Sequence, residues 1–261
     1  MQAANIIISE LISIAKKAGA EILRVYESGT ENWDISFKGD SSPLTIADKL
    51  SNDIINEELV KLFPEIPIIS EENKEISYQI RKNFNLFWLI DPLDGTKEFI
   101  NRNGEFTVNI ALIQDHSPVG GIVYVPVQEK MYYAQKGLGA FIIEKGNKKQ
   151  IEAAAFSKDQ KKIRIVASRS HMNRETTKFI SQFEEAEITS IGSSLKLLLI
   201  AEGKAHIYPR LGPTMEWDTA AAHAIVNEAG GRVFRYDKEI DLEYNKENML
   251  NPYFITMGKL I

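Results

Sequence analysis

The sequence predicts an α/β chain, and three observations carry that expectation. Two amphipathic helical stretches come first, an antiparallel run of strand-like segments fills the middle, and the second half alternates strand with helix. Where the first region meets the second, the apolar run Leu86-Phe87-Trp88-Leu89-Ile90 breaks into Asp91-Pro92-Leu93-Asp94-Gly95-Thr96, read here as a turn. Strand ends that open into such turns are where α/β proteins place their chemistry.

Residues 3–27 read as the first helix. Ile7, Leu11, Ile14, Ala18, Ile22 and Val25 recur at three- and four-residue steps with charged residues between them, and Glu27-Ser28-Gly29 ends the pattern. Residues 28–44, interrupted by Gly29, Gly39 and Pro43, form a loop or loose hairpin. Thr45 opens a second helix to about residue 62, and Thr45-x-x-Asp48 matches a capping box. Asp48 is therefore either a structural cap or a carboxylate facing a site. A short strand over 66–69 ends at Ser70-Glu71-Glu72.

The meander occupies 107–113, 121–127, 131–135 and 139–143, rich in β-branched and aromatic residues. Residues 144–162 show no period, and a subdomain boundary is placed there, dividing the chain into 1–155 and 156–261. Beyond it come a strand at 163–167 and a helix opening at Ser168-Arg169-Ser170-His171 and running to 183. A strand at 188–191, a helix at 195–202 and a strand at 205–208 follow. A helix then runs from Trp217 to Gly230-Gly231, before closing strands at 232–236 and 253–257.

With 261 residues, 44% hydrophobic and 26% charged, the chain has ample material for a large core. A net charge of −5 offers no global field for nucleic acid, so an anionic substrate needs local cations or metal ions. The absence of cysteine excludes disulfides, thiolate zinc sites and cysteine nucleophiles, and the four histidines lack zinc-protease spacing. No signal peptide or membrane-spanning run is read, which makes a cytoplasmic protein the expectation; no residue requires peripheral attachment to a membrane.

Five acids stand at element boundaries: Asp48, Glu71, Asp91, Asp94 and Asp218. Brought together they would repel and raise one another's pKa, and two or three Mg²⁺ ions would relieve that. Metal ions about 4 Å apart activate water against a phosphate ester and stabilise the departing oxygen. In this arrangement Thr96 hydrogen-bonds the water and Asp48 orients Thr96. Gly95 admits a ligand close to the backbone, where N–H groups hold a phosphate oxygen. Gly192-Ser193-Ser194 with Lys196, Arg210 and His171 supply further anion contacts. Each has a plainer alternative: Ser193 as a helix cap, Lys196 as a solvated side chain, Arg210 as a surface ion-pair member. Trp217 reads as packing beneath the site.

Three signatures, Ser70-Glu71-Glu72, Asp91-Pro92-Leu93-Asp94-Gly95-Thr96 and Trp217-Asp218-Thr219-Ala220-Ala221, resemble those of the inositol monophosphatase-like superfamily of Mg²⁺-dependent, lithium-sensitive phosphatases. The resemblance covers almost the whole chain and implies an α/β/α/β/α layered sandwich. Within the superfamily the chain looks most like the CysQ-type 3'(2'),5'-bisphosphate nucleotidases, through Asp94-Gly95-Thr96-Lys97-Glu98-Phe99, the stretch 103–112, Ser168-Arg169-Ser170-His171, Gly192-Ser193-Ser194-Leu195-Lys196 and Tyr208-Pro209-Arg210-Leu211-Gly212-Pro213-Thr214. Those enzymes convert adenosine 3',5'-bisphosphate, a by-product of sulfate assimilation, to AMP and phosphate. Inositol-specific members carry Thr-Asn where this chain has Lys97-Glu98, and a Glu where it has Leu211.

The resemblance implies that Glu71, Asp91, the Leu93 carbonyl, Asp94 and Asp218 bind Mg²⁺, and that Thr96 with Asp48 activates the water, Glu71 belonging to the same catalytic set. It also implies that Gly95, Thr96 and Asp218 meet the phosphate side of the substrate, and that Ser193, Lys196, Arg210 and His171 contact the nucleotide. Attack would be in line, without a phosphoenzyme. An inositol phosphatase or broad sugar-phosphate phosphatase is the alternative enzyme. A non-catalytic nucleotide or Mg²⁺ binder on the same fold is disfavoured by the intact acids and Thr96. Monomer and homodimer both remain open.

Overall fold

The computed structural model describes residues 8–37, 39, 43–168 and 172–261. Helix α1 (Ile8–Glu27) buries Leu11, Ile14, Ala18, Ile22 and Val25, the stripe its spacing requires. A small hairpin pairs β1 (Ser36–Phe37) with β2 (Pro43–Leu44). Helix α2 (Ile46–Leu62) begins at the expected capping box: the Thr45 N–H and hydroxyl both donate to Asp48 Oδ2 at 2.7 Å. There follow β3 (Ile68–Ser70), α3 (Tyr78–Arg81), β4 (Leu86–Asp94) and α4 (Thr96–Ile100). The meander comprises β5 (Thr107–Gln114), β6 (Ser117–Val125), β7 (Lys130–Gln135), β8 (Gly139–Glu144) and β9 (Asn147–Ile151). Strand β10 (Ala155–Phe156) then leads into the second half: β11 (Arg164–Ala167), α5 (Arg174–Ile180), β12 (Glu187–Ser190), α6 (Leu195–Ala201) and β13 (Ile207–Arg210). The chain closes with α7 (Trp217–Glu228), β14 (Arg232–Arg235), β15 (Phe254–Met257) and β16 (Lys259–Leu260), the last paired with β10.

Seven strands form one sheet in the order β3-β4-β5-β6-β7-β8-β9, antiparallel throughout except for β3 beside β4. Its two faces follow the two-residue period of a strand. Trp88, Ile90, Ile110, Leu112 and Ile122 pack under α1 and α2, whereas Phe87, Leu89, Ala111, Ile113 and Val123 pack against residues of α7. A second sheet, β12-β11-β13-β15-β14, shares α6 and α7 on one side. On its other side it holds Ile180 of α5 against Ile165, Ile207 and Ile255. The layers are therefore α/β/α/β/α. The larger sheet ends at Ile151 and the second begins at Arg164, yet the apolar cluster beneath the first sheet draws its helices from beyond that point.

Four local expectations change. The run ending at Ile90 continues as strand to Asp94, with a bulge between Asp91 and Asp94, because β5 keeps pairing across it. The period-free stretch contains β9, an edge strand whose Asn147, Lys148, Lys149 and Gln150 are all exposed, so it has no apolar alternation to read. Helix α5 starts only after Asn173, whose side chain accepts from the Thr176 N–H at 2.8 Å. Arg169, Ser170 and His171 of the expected helix start lie outside the described residues, as do residues 3–7 of the first expected helix. The one-turn helix α3 had no periodic signal, being too short to show one.

Gly121 of β6 lies hard against α7, since a Cβ there would run into the Ala221 carbonyl. Gly121→Val should cost about 3 kcal/mol through overpacking at this contact. Urea denaturation checks this, and an unchanged midpoint would show that the layer can give way.

Candidate metal centre

Three elements deliver acids to one point. Glu71 leaves the end of β3, Asp91 lies in β4, and Asp218 is the second residue of α7; one carboxylate oxygen from each lies within 4.8 Å of the others. The pairing of Ser70 with Ile90 across parallel strands makes Glu71 and Asp91 emerge at the same level. The Glu71-Glu72 turn is gripped from α2, where Asn52 accepts from the Ser70 hydroxyl (2.7 Å) and donates to Asn73 (2.9 Å). Asp218 Oδ2 accepts the Met215 N–H at 2.9 Å.

Asp94, expected in the same cluster, stands beside it and faces the second half of the chain. Its Oδ2 accepts the Ser193 hydroxyl, the Ser194 hydroxyl and the Ser194 N–H, each at 2.6 Å. The bulge in β4 is what turns Asp94 away from Asp91. Gly95 completes that change of direction with φ +94°, and a Cβ there would also press on the Glu105 carbonyl at 3.1 Å.

Asp48 resolves its two readings by serving both. Its Oδ2 caps α2, and its Oδ1 accepts the Thr96 hydroxyl at 3.1 Å. The Leu93 carbonyl lies 3.5 Å from the same Thr96 oxygen.

A pocket of about 130 Å³ opens beside the acids, with Asp94, Ser193, Lys196, Tyr208, Arg210 and Asp218 in its walls. Both cations are buried, so the surface readings of Lys196 and Arg210 do not hold. Lys196 Nζ donates to the Ser193 carbonyl at 2.6 Å and lies 5.8 Å from the centre of the Tyr208 ring. Arg210 donates to the Pro213 carbonyl at 2.7 Å, while its Nε has no partner within the protein. Ser193 is not the cap of α6, since it adopts φ +52° and aims its hydroxyl at Asp94. His171 lies outside the described residues.

The sequence reading missed Thr107 and Asn109. In the ladder they stand opposite Asp94 and Asp91, and their side chains meet Ser193 Oγ (2.8 Å) and Ser194 Oγ (2.8 Å) respectively. Two buried polar residues on one face of an otherwise apolar strand were the available signal. Glu105 was missed as well; its Oε2 accepts the Gly192 N–H at 2.8 Å and anchors the turn that carries the two serines.

Burial and crowding both act on the acids. Asp91 is pushed well above the usual carboxylate range, first by burial and then by the charges of Glu71, Asp94 and Asp218. Asp218 is raised to about 8 by burial and by Asp94 and Glu71. Asp48 is raised to about 6 by burial, which outweighs its bonds from Thr45. Lys196 is lowered to about 8 by burial, against the favourable charge of Asp94. Oxygen-only donors, close-set and in mutual repulsion, fit a hard divalent cation.

The pattern described as the inositol monophosphatase family matches residues 5–256. The 3'(2'),5'-bisphosphate nucleotidase CysQ of Salmonella typhimurium is 46% identical, over 95% of this chain and 98% of that protein. The nucleotidase of the same name from Escherichia coli K12 is 44% identical over the same shares. Among solved structures, CysQ from Bacteroides thetaiotaomicron superposes with a TM-score of 0.84 at 41% identity, covering 98% of this chain and 99% of that one.

The raised carboxylates make the cation-free protein sensitive to alkali. An acid whose pKa is higher folded than unfolded stabilises the fold while protonated, and that stability drains away as pH rises through the folded value. His223, lowered to about 3 by burial, has the opposite slope only below its ordinary value of 6.5, and Lys196 contributes its own only above about 8. In the presence of a chelator, Tm should therefore fall between pH 6.5 and 8, and Asp218→Asn should flatten the decline. A Tm that rises across this window in thermal melts would contradict the assignment.

Proposed function

The chain belongs to the inositol monophosphatase family, and within it we propose that this protein is a Mg²⁺-dependent 3'(2'),5'-bisphosphate nucleotidase. It removes the 3'-phosphate of adenosine 3',5'-bisphosphate, leaving AMP and phosphate, in the cytoplasm. The observation that carries this reading is the pair of buried cations, Lys196 and Arg210, in a pocket that opens directly off the acid cluster. A substrate with two phosphates would meet the acids, neutralised by cations, at one end and Lys196 with Arg210 at the other. Leu211, where inositol-specific relatives place an acid, is buried among apolar side chains and offers nothing to a sugar hydroxyl.

Glu71, Asp91, the Leu93 carbonyl, Asp94 and Asp218 would hold two or three Mg²⁺ ions. Bound there, the ions supply the positive charge that lets these acids stay ionised beside a phosphate, and they ease deprotonation of water. The rest is work for the chain itself. The Thr96 hydroxyl donates a hydrogen bond to Asp48 Oδ1, which leaves its lone pairs to accept a hydrogen bond from the attacking water. As the water oxygen bonds to phosphorus and the bond to the 3'-oxygen breaks, the water's proton passes to Thr96 Oγ1 while the Thr96 proton passes to Asp48, whose pKa of about 6 suits a base near neutral pH. The departing 3'-oxygen takes a proton from solvent. The Gly95 and Thr96 N–H groups orient the scissile phosphate. Ser193, Lys196 and Arg210 fix the remainder of the nucleotide, with His171 assigned to the same group.

Phosphate release tests the substrate. Catalytic efficiency on adenosine 3',5'-bisphosphate should exceed that on inositol 1-phosphate by at least about 100-fold; the reverse order would overturn the assignment. Thr96→Ala should lower kcat by about 100-fold with KM little changed. Asp94→Asn should lose most activity while its far-UV spectrum and Tm show a folded protein, and full activity in that variant would remove Asp94 from the site.

A further inference from the structure

Beside Glu71, on the side of the turn that leads into α7, the fold is not packed solid. A cavity of about 460 Å³ opens there, walled by Glu71, Ile76, Arg81, Met215, Trp217 and Met249. Close packing fixes distances only where side chains touch. Glu71 is held beside β4, and Asp218 is held by the packing of α7 on β4 and β5, but across the cavity the loop after Glu71 and the turn before α7 are joined by hydrogen bonds instead.

Residues 243–251 bridge the gap. On one side Arg81, the last residue of α3 and only 4% exposed, donates to Asn245 Oδ1 (2.8 Å), the Lys246 carbonyl (2.6 Å) and the Glu247 carbonyl (2.8 Å). Asn245 returns a bond to the Arg81 carbonyl at 2.7 Å. On the other side Glu216, fully buried just before α7, accepts the N–H groups of Asn245 and Lys246 and the Lys246 ammonium. Its own N–H donates to the Met249 carbonyl at 2.9 Å, and Asn251 holds the Met215 carbonyl at 2.8 Å. Met215 in turn supplies the N–H that fixes Asp218. The bonds run from Arg81, ten residues beyond Glu71, through Asn245–Asn251 to Met215 and Asp218.

We propose that Arg81 and Glu216 are positioning residues that hold Glu71 and Asp218 at the separation a shared divalent cation requires. The proposal rests on the metal reading above. Neither residue belongs to the acid cluster; each acts through the strap. A buried guanidinium and a buried carboxylate are retained only where every group is satisfied, and both are satisfied here by the same short segment.

The test is calorimetric titration of Mg²⁺ into the wild-type protein, Arg81→Met, Glu216→Gln and Lys246→Met, with each Tm measured in chelator. Arg81→Met and Glu216→Gln should bind Mg²⁺ about 10-fold more weakly or worse, as expected when supports of metal ligands are lost. Lys246→Met keeps its backbone N–H on Glu216 and should weaken binding in the same direction by less. Because Lys246 is partly exposed, that variant decides the matter if the other two fail to fold. Wild-type uptake with unchanged affinity in the folded variants, even at lowered Tm, would refute the brace alone. Absence of uptake by the wild type would refute the metal reading and the brace with it.

Discussion

Buried negative charges that repel one another are the constraint from which the rest of this structure follows. Asp91 lies within reach of the charges of Glu71, Asp94, Asp218 and Asp48. A fold left to hydrophobic burial alone would not collect them. It holds four of them with donors of their own: Thr45 for Asp48, the Leu93 N–H for Asp91, the two serines for Asp94, and the Met215 N–H for Asp218. These bonds offset part of the cost, yet burial first and mutual repulsion second still hold Asp91 and Asp218 above the usual carboxylate range, which a cation would relieve.

The architecture serves that arrangement by using both sheets. Glu71, Asp91 and Asp94 stand on the parallel pair at one edge of the larger sheet, while Asp218 arrives on a helix sandwiched between the two. Lys196 and Arg210 come from the second half as well, so the acid wall and the cationic pocket meet where the halves join. Asp94 is the link. It acts electrostatically on the first group and is hydrogen-bonded by the turn that carries Ser193.

Much of this was legible in the residues. The helical stripe of α1, the capping box at Thr45 and the strand-helix alternation of the second half express local periodicity and capping, which act over a few residues. Each acid at an element end reads alone as an ordinary turn or cap; it was the three motifs taken together that picked the set out. What could not be read was long-range. The bulge that turns Asp94 away from Asp91 depends on pairing with β5. The polar edge strand β9 owes its existence to the hairpin it closes rather than to any pattern of its own. Thr107 and Asn109 acquire meaning only when residues from far along the chain face them. The strap from Asn245 to Asn251, with no period and no motif, is invisible until Arg81 and Glu216 close on it.

The placement of α7 has a bearing on how the chain comes together during synthesis. All seven strands of the larger sheet have emerged once Ile151 leaves the ribosome, yet Phe87, Leu89 and Val123 then present an uncovered oily surface. Their cover lies in Trp217–Glu228. Until that late helix is made, the nascent sheet is exposed to the associations that chaperones prevent, and the last quarter of the polypeptide closes the first half as well as its own.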